Sequence, residues 1–233
     1  MKETILLIED DIDLSNIMRD FIGNEGYDVR QAYTGSEGLK MVQTCEPALV
    51  VLDIMLPEMD GIGVCKKIRE EQQIPIIVIS AKNSDYDKVL ALGVGADDYM
   101  TKPFSQIELV ARVKSHLRRV TQFIPRQHNS EVGEKSGEKR FGDLRICKES
   151  FEVKVKNKQI QLSPKEFQVL DFLSDHPLHV FTKEQIIDQV WGYSDFIDEN
   201  TIAVYIGRIR DKLIKEGIDM IKTVWGVGYK WEG

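Results

Sequence analysis

Four carboxylates stand where two apolar runs end. Glu9, Asp10 and Asp11 follow Ile5-Leu6-Leu7-Ile8, and Asp53 follows Leu49-Val50-Val51-Leu52. Acids gathered at one place raise one another's pKa unless a cation sits among them, so a divalent ion is the economical partner. Hard oxygen ligands with room for water suit Mg2+. Two further runs end in different chemistry: Ser80 closes Ile76-Ile77-Val78-Ile79, and Lys102 follows Tyr99-Met100-Thr101. A hydroxyl and an ammonium facing a metal-bound carboxylate can hold a phosphoryl group, the cations neutralising its oxygens and the hydroxyl donating a hydrogen bond. Each residue alone has a plainer reading, as a loop acid, a capping serine or a turn lysine before Pro103. Their coincidence at four strand ends favours the chemical one.

Positioning these groups needs a particular scaffold. Strands are expected at Thr4 to Ile8, Asp28 to Ala32, Ala48 to Leu52, Ile76 to Ser80 and Asp97 to Met100, with amphipathic helical patterns between and after them. Such alternation implies βαβ units and a parallel sheet covered on both faces. Right-handed crossovers then give a doubly wound, flavodoxin-like sheet of five strands in the order 2-1-3-4-5, an α/β fold. In that order the first and third strands are neighbours, and their tips flank the switch point where ligands bind. Ser84 to Asp87 and Ser105-Gln106-Ile107-Glu108 read as capping boxes opening the last two helices of this half.

The pattern stops after Val120. Residues 121–139 are polar, with Pro125, Gly133 and Gly137 and no apolar period, and read as a flexible linker between a domain at 1–120 and another at 140–233. The second half begins with strands at Asp143 to Ile146, Glu152 to Val155 and Lys158 to Leu162. Ser163-Pro164-Lys165-Glu166 then opens a helix with a cap, an N1 proline and a reciprocal glutamate. A second helix runs from Thr182 through Val190 and a third from Asn200 to Lys215, before a hairpin at Ile221 to Trp231. Three helices and a terminal hairpin outline an α+β winged helix-turn-helix.

The chain of 233 residues carries a net charge of −7. Residues 1–120 hold 14 Lys+Arg against 20 Asp+Glu, and residues 121–233 hold 17 against 18. Nucleic-acid binding is therefore not written in the average charge and must be argued locally. No apolar run approaches bilayer length, and Met1-Lys2-Glu3-Thr4 leads straight into a strand, so a cytoplasmic protein with no membrane partner is expected. The cysteines, Cys45, Cys65 and Cys147, are scattered, which speaks against a disulfide framework or a zinc site.

The pattern Ile8-Glu9-Asp10-Asp11, Asp53-Ile54-Met55-Leu56-Pro57 with Asp60-Gly61, Ser80-Ala81 and Tyr99-Met100-Thr101-Lys102-Pro103-Phe104 resembles the receiver domain of two-component response regulators. The resemblance implies that Asp53 accepts a phosphoryl group from a sensor histidine kinase. It implies also that Glu9, Asp10, Asp53 and the Met55 carbonyl hold Mg2+, that Ser80 and Lys102 contact the phosphoryl oxygens, and that Lys102-Pro103 is cis. Tyr99 would swing inward when Ser80 moves. Lys88, Asp97, Asp98, Glu108, Arg112 and Arg119 match charged positions of a dimer face, and the implied intersubunit pairs are Lys88 with Glu108, Asp98 with Arg112, and Asp97 with Arg119. The second half resembles the winged-helix effector of the OmpR/PhoB subfamily, through Leu162-Ser163-Pro164-Lys165-Glu166 and Thr223-Val224-Trp225-Gly226-Val227-Gly228-Tyr229. By the same resemblance the loop 191–196 faces RNA polymerase.

The third effector helix separates its roles by period. Ile202, Ile206, Ile209 and Leu213 should face the core, leaving Asn200, Thr201, Val204, Tyr205, Arg208 and Lys212 exposed, with Arg210 on a flank. That face suits phosphates and base edges of promoter DNA in the major groove, and Thr223, Trp225 and Lys230 of the hairpin would approach an adjacent groove. With few cations per chain, binding as a dimer on two half-sites is favoured. The expected function is a phosphorylation-activated transcriptional regulator. The rival is an aspartyl-phosphate hydrolase, whose second acid would stand two residues after the nucleophile. Met55 occupies that position and cannot activate water, so catalytic turnover is not expected. A receiver that dimerises without phosphate is disfavoured because every site residue is present.

Overall fold

Uninterrupted apolar runs build the centre of the first half. The computed structural model describes residues 2–121, 138–191 and 199–233, with residues 118–121 and 199 described by backbone alone. The chain divides into two compact units, Met1–Arg118 and Arg119–Gly233.

The first unit runs β1 (Thr4–Ile8), α1 (Ile12–Asn24), β2 (Asp28–Ala32), α2 (Gly35–Cys45), β3 (Leu49–Asp53), α3 (Gly61–Glu71), β4 (Ile76–Ser80), α4 (Asp85–Val94), β5 (Asp98–Thr101) and α5 (Gln106–Thr121). The sheet order is β2-β1-β3-β4-β5, and every pairing is parallel. All five residues of β3 and of β4 are buried, as expected for central strands covered on both faces. Ile5, Leu7, Val51, Ile77 and Ile79 meet Met18 and Ile22 of α1 and Leu109, Val113 and Leu117 of α5 in one core layer. Truncating one of these side chains to alanine would cost about 2–5 kcal/mol. Strands β3 and β5 lie one residue later than the sequence suggests, which brings Asp53 into β3 and leaves Asp97 just outside β5. Ser84 caps α4 as expected, accepting from the Asp87 N–H at 3.1 Å. Ser105 caps α5 through the Ile107 N–H, but Glu108 bonds Arg112 instead of closing the box.

The second unit runs β6 (Glu138–Phe141), β7 (Leu144–Cys147), β8 (Glu152–Val155), β9 (Lys158–Ile160), α6 (Pro164–Ser174), β10 (Val180–Thr182), α7 (Lys183–Trp191), α8 (Glu199–Ile214), β11 (Ile221–Val224) and β12 (Gly228–Trp231). An antiparallel sheet β6-β7-β8-β9 precedes the helices, and β10-β12-β11 forms a second sheet that carries the wing. Strand β6 takes up Glu138 and Lys139, which sequence reading assigned to the linker; residues 122–137 lie outside the described residues. A charged edge strand has no apolar alternation to announce it, and neither has the three-residue β10. The capping box of α6 forms, Glu166 accepting from the Ser163 N–H at 2.8 Å. This is a doubly wound receiver-type sheet followed by a winged helix.

Candidate functional site

Parallel pairing of β1 with β3 sets Ile8 beside Leu52, so the residues that follow, Glu9 and Asp53, emerge together. The three consecutive acids then part company. Asp11 turns away to cap α1, accepting from the Leu14 N–H at 3.0 Å, while Glu9 and Asp10 stay at the strand tip. Carboxylate oxygens of Glu9, Asp10 and Asp53 all lie within 4.8 Å of one another, with Glu9 and Asp53 buried and Asp10 exposed. Strand β5 delivers the cation. The Lys102 N–H donates to the Ser80 carbonyl at 2.7 Å. Its ammonium donates to both oxygens of Glu9 at 2.8 and 2.9 Å and to Asp53 Oδ2 at 2.6 Å. The other oxygen of Asp53, Oδ1, accepts from the Met55 N–H at 2.8 Å. The Lys102-Pro103 bond is cis.

Burial pushes the Glu9 carboxyl up to about 7, with the Asp53 charge adding to it and Lys102 opposing. Burial also acts to lower the Lys102 pKa, but its bonds to Asp53 and Glu9 outweigh this and raise it. One ammonium among three carboxylates leaves a net negative, partly buried pocket, and the donor set is all oxygen. This matches what a small hard cation needs, so the residues present fit Mg2+.

The loop after β3 is held against the site by a close backbone approach. A Cβ on Gly61 would lie 2.2 Å from the Asp53 carbonyl oxygen, and the Gly61 N–H donates to the Ile54 carbonyl at 3.0 Å. Ser80 is fully buried, its hydroxyl accepting from the Lys82 N–H at 3.1 Å. The Tyr99 ring is already inside, and its hydroxyl donates to the Lys82 carbonyl at 2.7 Å, so hydroxyl and aromatic meet on the same loop. Burial above all raises the Tyr99 pKa. The Met55 side chain is 55% exposed and offers no proton-transfer group.

Within the described chain, most of the expected intersubunit charges are bound internally. Asp98 and Arg112 are buried and joined at 2.6 Å, with Glu108 on the same guanidinium at 2.8 Å and His116 3.4 Å from Asp98. Burial alone would raise the Asp98 carboxyl, but Arg112 first and His116 next hold it well below the usual carboxylate range. Asp97 is also buried, accepting from Arg69 of α3 at 2.6 Å and from the Ile76 N–H at 3.0 Å. Within the single chain, Asp97 and Asp98 thus each brace their own fold. Lys88 lies 3.6 Å from Asp85, and the Arg119 side chain lies outside the described residues.

The third effector helix buries Ile202, Ile206, Ile209 and Leu213 as expected, but its buried face is wider than the period suggests. Tyr205 is fully buried against Trp191, with ring centroids 5.2 Å apart, and Thr201 is buried too. Residues 201, 205, 208 and 212 share one stripe, and it packs on α6 and α7 rather than facing solvent. Arg208 and Lys212 both bond the buried Glu166 carboxylate, at 2.8 and 2.6 Å. Asn200 is exposed as expected, and α8 also exposes Ala203, Asp211 and Ile214, with Val204 and Gly207 half-buried beside them. Sequence reading missed Ala203 and Gly207; the signal was a large aromatic at position 205, adjoining the isoleucine stripe and widening it. Arg210 donates to the Ile221 carbonyl at 3.0 Å and to Thr223 Oγ1 at 2.8 Å, bolting the wing to α8. Trp225 projects from the wing, and Lys230 pairs with Glu232 at 2.5 Å. In the loop 191–196 only Trp191 belongs to the described residues. Among the described residues, no helix is long and apolar enough to cross a membrane.

Comparison with known proteins agrees with both halves. Residues 5–114 match the response regulator receiver domain family, and residues 157–231 match the family described as transcriptional regulatory protein, C terminal. The chain is 41% identical over 238 residues to the alkaline phosphatase synthesis transcriptional regulatory protein PhoP of Bacillus subtilis (strain 168), covering 100% of this chain and 98% of that protein. It is 38% identical over 236 residues to the uncharacterized transcriptional regulatory protein YclJ of the same organism, covering 98% of each. A solved structure of a RitR mutant is similar with a TM-score of 0.74 at 27% identity, covering 99% of this chain and 100% of that one. The chain belongs to the two-component response regulators of the OmpR/PhoB subfamily, phosphorylation-dependent, DNA-binding transcription regulators rather than conventional enzymes.

Proposed function

We propose that Asp53 accepts a phosphoryl group from a sensor histidine kinase, and that the resulting charge switches promoter binding by the effector. The observation that carries this reading is the Asp53 carboxylate itself, held by the Met55 N–H and Lys102 beside two further acids. Glu9, Asp10, Asp53 and the Met55 carbonyl would hold Mg2+, which when bound neutralises charge on the transferring phosphoryl oxygens. An Asp53 oxygen attacks phosphorus, the O–P bond forms as the bond to the donor's imidazole nitrogen breaks, and the imidazole leaves with its electron pair. Lys102 follows the new charge by exchanging its carboxylate bonds for a phosphoryl oxygen. Ser80 donates its hydroxyl to another, and Tyr99 packs behind it. Since Met55 supplies no acid or base, the phosphoaspartate is long-lived and the protein turns over slowly.

The domains would be a receiver at 1–120, a linker at 121–139 trimmed by the start of β6, and an effector at 140–233. Phosphorylation would favour a homodimer through α4, β5 and α5, where Tyr86, Val89 and Leu90 expose apolar surface beside Lys88 and Glu108. In the effector, α8 would enter the major groove of promoter DNA with Asn200, Val204 and their neighbours. Arg208, Arg210 and Lys212 would flank it, and the wing residues Thr223, Trp225 and Lys230 would lie in the next groove. The loop 191–196 would meet RNA polymerase, and the protein would work in the cytoplasm. Intact-mass measurement after incubation with Mg2+ and acetyl phosphate should show one added phosphoryl group on wild type and none on Asp53→Ala. Undiminished modification of that variant would defeat the assignment.

A further inference from the structure

We infer that the effector reads DNA mainly through apolar contacts, with Trp225 acting as a wedge in the minor groove beside the site occupied by α8. This rests on the reading that α8 and the wing face DNA. The four cations placed by sequence on that surface have partners within the chain: Arg208 and Lys212 on Glu166, Arg210 on the wing base and Lys230 on Glu232 at 2.5 Å; Lys222 of the wing likewise pairs with Asp219 at 2.5 Å. Lys215 is exposed, but at the far end of α8. Between the exposed Asn200 and Asp211, what α8 presents is small and apolar. Ala203, Val204 and Gly207 lie along α8, and among the described residues nothing beyond the adjoining helix backbone stands within 4 Å of where a Gly207 Cβ would be, so the backbone can approach a partner closely. Thymine methyls are the complementary feature of the major groove.

The wing continues this chemistry. Trp225 is 91% exposed and Val227 50% exposed, either side of Gly226 in a turn with φ +74°. Its hairpin is fixed, because Arg210 bolts its base to α8 and Gly228 presses on the Phe181 carbonyl so closely that a Cβ would sit 1.9 Å away. A cleft of about 350 Å³ lies under the wing, lined by Trp225 and Val227 on one side and by Lys183 and Glu184 of α7 on the other. It gives one sugar–phosphate strand room to pass while the indole enters between bases. Apolar wedges of this kind unstack a base step and bend the duplex, and they favour flexible pyrimidine–purine steps.

Among the chain's three tryptophans, Trp191 and Trp231 are 1% and 0% exposed, so Trp225 dominates quenching by acrylamide. Full-length protein treated with acetyl phosphate and Mg2+ is mixed with duplexes selected from a random-sequence pool. DNA should remove most of the acrylamide quenching, and 2-aminopurine placed at a TA step should brighten. Trp225→Ala should weaken binding about tenfold or more with the same salt slope, whereas Trp225→Phe should retain most of the affinity. Trp225→Arg should instead steepen the slope by about one counterion. If Trp225→Ala binds as wild type does, or if the indole stays accessible on DNA, the wedge is wrong and DNA binding stands. If phosphorylated wild type selects no duplex, the underlying reading fails with it.

Discussion

Two carboxylates share the Lys102 ammonium, which bonds both oxygens of Glu9 and one of Asp53. Lysine and a metal ion therefore compete for the same oxygens. Lys102→Met should enlarge the rise in Tm caused by Mg2+, while slowing modification by acetyl phosphate roughly 100-fold. A smaller Mg2+ effect than in wild type would contradict this placement of the ammonium. Asp98 offers a second residue-scale expectation. Its carboxyl is held below the usual range, so its pairing contributes stability above the ordinary carboxylate pKa of about 4 and loses it as pH falls through the folded value. Asp98→Asn should cost the receiver about 3 kcal/mol near neutral pH and flatten its acid denaturation curve below about pH 4; an unchanged curve would place the acid sensitivity elsewhere. Glu9, Asp53, Ser80 and Lys102 are legible in sequence because each apolar run stops where its strand stops. Asp10 and Asp11 cannot be told apart there, since the backbone turn into α1 decides which of them caps the helix.

Elements carry the site only where their backbones can approach. The loop between β3 and α3 lies on the Asp53 carbonyl at Gly61, and an added methyl group would push the two apart. Gly61→Ala should lower Mg2+ affinity about tenfold, read by calorimetric titration, with the strand order intact by circular dichroism. Unaltered affinity would mean that the loop relaxes without moving Asp53. The sheet order was readable from alternating patterns, because a central strand has no polar face to confuse the period. Helix α8 was not, because a helix buried on two sides has two apolar stripes and sequence reading found one. Its second stripe includes Arg208 and Lys212, whose charges look solvated until Glu166, 46 residues from Lys212, is brought beneath them. The partner that Asp97 takes within the chain was illegible for the same reason: Arg69 is 28 residues away and belongs to α3.

At the scale of the whole molecule the two units divide the work, one holding the acidic pocket and the other the winged helix. The receiver carries most of the negative charge, and the effector half is close to neutral. On the proposed reading, affinity for DNA comes from pairing two effectors rather than from one strongly basic face. A tenfold gain on phosphorylation would correspond to a coupling of about 1.4 kcal/mol between the pocket and the DNA site. The decisive measurement is the affinity of full-length wild type and Asp53→Ala for the same selected duplex, with Mg2+ present, before and after acetyl phosphate. Wild type should tighten about tenfold or more on treatment, and Asp53→Ala should not change. Equal affinity of treated and untreated wild type would contradict a phosphorylation switch centred on Asp53.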